Sequence, residues 1–235
     1  MTAIAHARQE LIHAGIVLEH QGFGDMTRGH VSVRVPGNPA HFFMKPHSIG
    51  FDEITEENIL TIDIEGEVVG GTSRPHSERY IHSEIFRVRP DIQAIIHAHP
   101  LHTIAFSATG QALRPLNQGG AMFSGHLPVF VETMDLIRNT AQGAAVAACM
   151  GADNAVLMRS HGVAVGGGSL AEAVVLCVML EEAARIQLQA SAIGLDGFEF
   201  PPEDVAALRQ KLTRPDQYQV NFDYLVRKAK QAMGI

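Results

Sequence analysis

The sequence predicts an α/β fold, and three observations carry that expectation. Ile4, Leu11, Ile12, Ile16 and Leu18 recur with polar residues between them over residues 2–20, the spacing of an amphipathic helix. Val31, Val33 and Val35 alternate with Ser32 and Arg34, the period of a strand. An apolar run from Ile92 to Ile96 follows Pro90-Asp91 and reads as a short buried strand. At 235 residues the chain is within the range of one α/β domain, so residues 1–235 are expected to form a single unit.

Taken in order, the first helix ends near Gly22. After the strand at 31–35, Pro36-Gly37-Asn38-Pro39 predicts a turn, and a second strand over His41 to Lys45 completes a hairpin. Thr55 to Asn58 has the character of a helical turn, followed by a strand from Ile59 to Ile64 and a turn at Glu65-Gly66-Glu67 into Val68-Val69. A helix is predicted from Glu78 to Val88, with Ser77 as N-cap, Pro75 upstream and an acidic first turn. Residues 101–133, with Gly119-Gly120, read as an irregular middle, and Asp135 to Met150 as an alanine-rich helix. Gly166-Gly167-Gly168 reads as the turn into a helix from Leu170 to about Ala192, with Ser169 and Glu172 as a capping box and Gly194 as the stop. No Lys-Ser/Thr follows these glycines, so they are not a phosphate loop. Two further helices, one starting at Pro201-Pro202-Glu203 and one over Phe222 to Met233, could pack against a neighbouring subunit.

A hydrophobic share of 46% with 18% charged residues is globular composition, and a net charge of −7 disfavours nucleic acid or an acidic membrane as partner. Residues 1–20 carry charges and histidines instead of an uninterrupted apolar core, and no apolar stretch reaches transmembrane length. Cys149 and Cys177 lack CxxC spacing and read as buried free thiols, so a cytoplasmic protein is expected.

The chemistry gathers at His97-Ala98-His99. Residues i and i+2 of a strand share a face, so both imidazoles aim at one point, as two ligands of one metal must. His161, between the apolar runs Ala155–Met158 and Val163–Val165, is the best third ligand. Three imidazoles with an open position are the usual build of a catalytic metal site. Spacing alone leaves a chance pair open, because the chain has 13 histidines. Taken alone, Glu78 reads more plainly as a solvated carboxylate favouring a helix dipole than as an acid/base. His102 and His126 could line the site, with a satisfied structural histidine the plainer reading of each.

Glu78, the His97-Ala98-His99-Pro100 run and His161-Gly162 together resemble the class II aldolase/adducin family. The likeness extends through Gly29 to Arg34, Lys45-Pro46, Asp52 to Glu57 and Gly166, covering roughly residues 5 to 195. It implies a three-layer α/β/α sandwich with a mainly antiparallel central sheet, and a homotetramer with active sites near subunit boundaries. It also implies one divalent metal per subunit on His97, His99 and His161, with Glu78 as acid/base. Imidazole ligands suit zinc, manganese, iron and cobalt alike.

The chain departs from the family's sugar-phosphate aldolases at three places where these hold phosphate with small polar residues. The corresponding positions read Gly29-His30, His47-Ser48 and His76-Ser77. At each, a flat ring that can donate, stack or carry charge replaces a small hydrogen-bonding residue. His30, His47, Ser48, His76 and Ser77 are therefore the expected substrate-binding set, for an anion smaller or flatter than a sugar phosphate. Arg34, Lys45 and Arg74 are nearby cations that could share that role, though a solvated surface position is the plainer reading. The family includes metal-dependent decarboxylases of hydroxylated aromatic and heteroaromatic acids, and such a small-molecule anion suits this pocket. Two alternatives stand beside it: an aldolase acting on a sugar phosphate or hydroxy-keto acid, and an adducin-like interaction module without enzymatic activity. The last is expected to lose the metal histidines and carry a long basic tail, and neither is seen.

Overall fold

A computed structural model describes residues 1–194 and 199–235. Eight strands form one sheet in the order β4-β3-β2-β1-β5-β8-β7-β6. They are β1 (His30–Val35), β2 (Asn38–Met44), β3 (Leu60–Asp63), β4 (Val68–Gly70), β5 (Ala94–Ala98), β6 (Val129–Phe130), β7 (Ala155–Met158) and β8 (Gly162–Gly167). Every neighbouring pair is antiparallel except β6 and β7, so the sheet is mainly antiparallel.

Alternation along the strands separates two cores. Val31, Val33, Phe43, Ile96, Leu157 and Val165 face a core shared with helices α1 (Ala3–His20), α3 (Leu101–Thr109), α6 (Leu170–Ala192) and α8 (Pro215–Met233). Phe42, Met44, Ile62, Ile95, Val156 and Ala164 face the other, closed by α2 (Arg79–Val88) and α5 (Thr140–Met150). The three layers are therefore helices, sheet and helices. Helices α4 (Gln118–Phe123) and α7 (Pro202–Leu212) complete the described elements.

Several local expectations are corrected. The hairpin turn is tighter than expected, because Val35 already pairs with Asn38. Residues 101–133 are not irregular: they hold α3, α4 and β6. The glycines there permit close packing, since a Cβ on Gly119 would sit 2.7 Å from the Met179 carbonyl oxygen of α6. Helix α5 begins at Thr140 under an Asn139 cap, later than Asp135. Gly166 and Gly167 lie inside β8 instead of in a turn. Ser169 caps α6 as expected, whereas Glu172 accepts from the Gly168 N–H at 2.8 Å rather than closing a capping box on Ser169. The face of α8 that carries Tyr218, Phe222, Val226 and Ala229 is buried within its own chain, while Val220 and Tyr224 on the same helix are exposed. Arg34 is no surface cation. It is buried and donates to the carbonyls of Ile92, Pro39, Phe86 and Arg89, fastening the end of α2 to the sheet.

Candidate active site

The site lies on the α2 face of the sheet, at the end where β5 stops and β8 begins. His97 follows Ile95 at strand spacing and so points toward α2. His99 stands just past the strand, and its Nε2 comes within 3.1 Å of His97 Nε2. His161 is on the turn between β7 and β8, with its ring centroid 5.1 Å from that of His97 and 5.4 Å from that of His99. The Gly162 that follows is a steric requirement. A Cβ there would meet the Ala98 carbonyl oxygen and His99 Cδ2, each at 2.6 Å.

Ser77 does not cap α2. Glu78 itself occupies the cap position, with φ −88° and ψ 14°, and its side chain turns inward instead of capping the helix. Its Oε1 accepts the Ile137 N–H at 3.0 Å, from the loop that precedes α5. The carboxylate lies 3.6 Å from His161 Nε2, 3.7 Å from His97 Nε2 and 3.9 Å from His30 Nε2. Burial pushes the Glu78 carboxyl up to about 7, partly opposed by the Ile137 N–H and the charge of Arg138. At neutral pH this group is poised between acid and base.

Seven of the 13 histidines form one contiguous array. His30 pairs directly with His97 across β1 and β5, their rings stacked at 4.8 Å. His76 lies 4.6 Å from His30, and His47 lies 5.1 Å from His76. Desolvation is the first cause of a lowered pKa in each: His76 falls to about 2, His82 to about 3 and His99 to about 4. His30 and His97 fall well below their usual value, and His47 and His161 are lowered too. These rings are neutral at pH 7. They can offer lone pairs to a metal or N–H groups to a substrate, and the positive charge considered for them is absent.

That charge sits on Lys45, which is fully buried and not at the solvated surface expected for it. Its Nζ contacts the carbonyls of Thr27 and Pro46 and His76 Nε2, at 3.2, 3.3 and 3.2 Å, none of them a carboxylate. Burial lowers its pKa to about 8. Arg74 is exposed and offers its backbone carbonyl to the His47 N–H. Ser48 is exposed and pairs with His47 Nδ1 at 2.5 Å, and Ser77 is half-buried. His102 is held by Glu181 and His126 by Asp153, each at 2.7–2.8 Å, the satisfied structural role that is the plainer reading of each.

The donor set fits a divalent cation. One nitrogen from each of His97, His99 and His161 lies within 4.8 Å of the others. Metal–nitrogen bonds near 2.0–2.1 Å place tetrahedral ligands roughly 3.3 Å apart, close to the His97–His99 spacing. One ligand atom from each of His30, Glu78 and His97 likewise lies within 4.8 Å of the others.

Sequence reasoning missed three partners. Asp25 Oδ2 stands 3.3 Å from His99 Nδ1, its other oxygen held by Arg28 at 2.9 Å. His82 and Ser32 lie beneath His30. Their types are ordinary in sequence, and only the fold brings them to the site. Among the described residues, the non-glycine positions with positive φ are Asp25, Met26, Ser48 and Ser160. All flank the site, on the segments that carry Asp25, His47 and His161. Such backbone costs on the order of 1–3 kcal/mol per residue and persists where surrounding structure over-determines it.

The sequence model for the class II aldolase and adducin N-terminal domain matches residues 9–188. The 3,4-dihydroxyphthalate decarboxylase of Arthrobacter keyseri is 32% identical over 216 residues, spanning 87% of this chain and 86% of that protein. The solved structure of an aldolase II superfamily protein from Pseudomonas syringae superposes with a TM-score of 0.87 at 26% identity, covering 99% of this chain and 95% of that one. L-fuculose 1-phosphate aldolase from Glaciozyma antarctica gives 0.86 at 25% identity, covering 98% and 91%.

Proposed function

The chain belongs to the class II aldolase and adducin N-terminal domain family, and on that premise we propose that it is a metal-dependent carbon–carbon lyase that decarboxylates a hydroxylated aromatic or heteroaromatic acid. The observation that carries this reading is Lys45. Buried charges are ordinarily paired, yet this ammonium has three hydrogen-bond partners and no carboxylate among them. Its hydrogen-bond shell is uncharged, with Glu53 and Glu19 acting on it only through their charge, and the neutral rings of His76, His47 and His30 beside it would give an anion flat walls. The named decarboxylase relative supports the same class of substrate.

His97, His99 and His161 would hold the metal, which supplies a Lewis acid for the substrate's hydroxyl and carboxylate oxygens when bound. The rest of the work falls to the chain. Lys45 balances the substrate's charge, and His47, His76 and His30 fix the plane of its ring. Loss of CO₂ breaks the ring–carboxyl bond and leaves its electron pair on the ring. Glu78 gives its proton to that carbon, the new C–H bond replaces the broken C–C bond, and the carboxylate regains a proton from solvent. The Ile137 N–H holds the carboxylate in place through the transfer.

The aldolase reading keeps the same metal and acid/base, and the fold likeness to L-fuculose 1-phosphate aldolase favours it. A screen of the metal-loaded protein separates the two. Hydroxyaryl acids should release CO₂; efficient cleavage of a sugar phosphate without CO₂ from any hydroxyaryl acid would sink the decarboxylase. A homotetramer is part of the same proposal, and a monomeric mass in sedimentation at working concentration would remove it. No described helix is long and apolar enough to cross a membrane.

A further inference from the structure

We propose that Ser32 and His82 fix the tautomer of His30, so that His30 presents an N–H group to the substrate rather than a lone pair to the metal. The three residues are fully buried between β1 and α2. Ser32 and His30 share one face of the strand, and His82 is one helical turn beyond Glu78. His82 Nδ1 lies 2.6 Å from Ser32 Oγ, and His82 Nε2 lies 2.7 Å from His30 Nδ1. The remaining nitrogen, His30 Nε2, has no hydrogen-bond partner among the described residues and lies 3.9 Å from Glu78 Oε2.

Both rings are fully buried and neither has a carboxylate among its hydrogen-bond partners, so each is a neutral imidazole with one proton. Two hydrogen-bond directions then remain, and the serine decides between them. Its hydroxyl makes no side-chain hydrogen bond other than that to His82 among the described residues. If His82 Nδ1 donated to Oγ, the hydroxyl proton would be buried without an acceptor, at a cost of about 1–3 kcal/mol. If the hydroxyl donates to His82 Nδ1, no proton is stranded there. His82 must then carry its proton on Nε2 and donate it to His30 Nδ1. His30 is left with its proton on Nε2, aimed at the site. Three consequences follow from that polarity. His30 is no ligand, so the metal belongs to His97, His99 and His161 and not to the group His30, Glu78 and His97. The orphaned His30 N–H needs an acceptor, and a substrate oxygen supplies one. His82 and Ser32 touch no substrate and are positioning residues.

The role toward substrate rests on the function proposed above; the tautomer does not. Neutron diffraction from deuterium-exchanged wild-type protein reads it directly. Deuterium is expected on Nε2 of both His30 and His82, with neither Nδ1 carrying one. Deuterium on His30 Nδ1 would overturn the proposal. Calorimetric titration with salicylate tests the consequence. Ser32→Ala should weaken the Kd about tenfold while bound zinc is unchanged, and Ser32→Thr, which keeps the hydroxyl, should restore it. An unchanged Kd in Ser32→Ala would also overturn the proposal. Wild-type protein that binds no salicylate would contradict the proposed function instead, leaving the neutron result to decide the tautomer.

Discussion

His97 and His99 meet Nε2 to Nε2 at 3.1 Å. Both rings are held neutral by burial, so one nitrogen must donate to the other, or both lone pairs must aim at a single electrophile. The third imidazole of His161 closes the triangle within 4.8 Å, which favours the electrophile. His97→Ala, His99→Ala and His161→Ala are each expected to lose bound divalent metal when freed of excess ions and analysed by elemental mass spectrometry. Full occupancy in any one variant would remove that residue from the ligand set.

Asp25 approaches the far nitrogen of His99 at 3.3 Å, from backbone with φ of 44°. A carboxylate there favours the Nδ1–H tautomer and leaves Nε2 free for a cation. Asp25→Ala is expected to weaken metal affinity by roughly 10–100-fold while leaving the fold intact. Competition against a chelator of known affinity measures this, and an unchanged metal Kd would make Asp25 a bystander.

Lys45 gives a pH signature. Its pKa falls from 10.5 unfolded to about 8 folded, chiefly by desolvation. Below pH 8 both states are protonated, and the folded state bears the full cost of the buried charge. Between about 8 and 10.5 the unfolded state holds the proton more tightly, so the cost is relieved as pH rises. Lys45→Met should therefore be more stable than wild type at pH 7, on the order of 1–3 kcal/mol, and should lose affinity for the anion. The stability gap should narrow as pH rises from 8 toward 10.5 in denaturant melts. A gap that stays flat over that window would mean that Lys45 titrates normally.

Much of this site was legible because its signals are local. A helix over residues 2–20, a hairpin after residue 30 and two histidines at strand spacing each follow from a periodicity within a few residues. What escaped depends on distant partners. Helix α3 carries no local start signal, because the carboxylate that accepts the His102 and Thr103 backbone N–H groups belongs to Glu181, 79 residues from His102. Ser77 was a sound cap by type, but Glu78 takes the position and turns inward to a loop residue 59 positions on. Lys45 and Arg34 looked like solvated cations because nothing nearby in sequence shows that carbonyls from other elements receive them. His82 and Asp25 carried no sequence signal; their roles exist only once α2 and the loop before β1 are in place.

In the proposed reaction Glu78 protonates the carbon that loses CO₂. The most direct measurement is one NMR experiment in D₂O on metal-loaded protein, using a hydroxyaryl acid labelled with ¹³C at the carboxyl. Wild type should release labelled CO₂ and leave one deuterium at the vacated ring carbon. Glu78→Gln should keep its metal and lose the rate by about 10²-fold or more. Wild-type rates of release and deuterium incorporation in Glu78→Gln with its metal bound would contradict it.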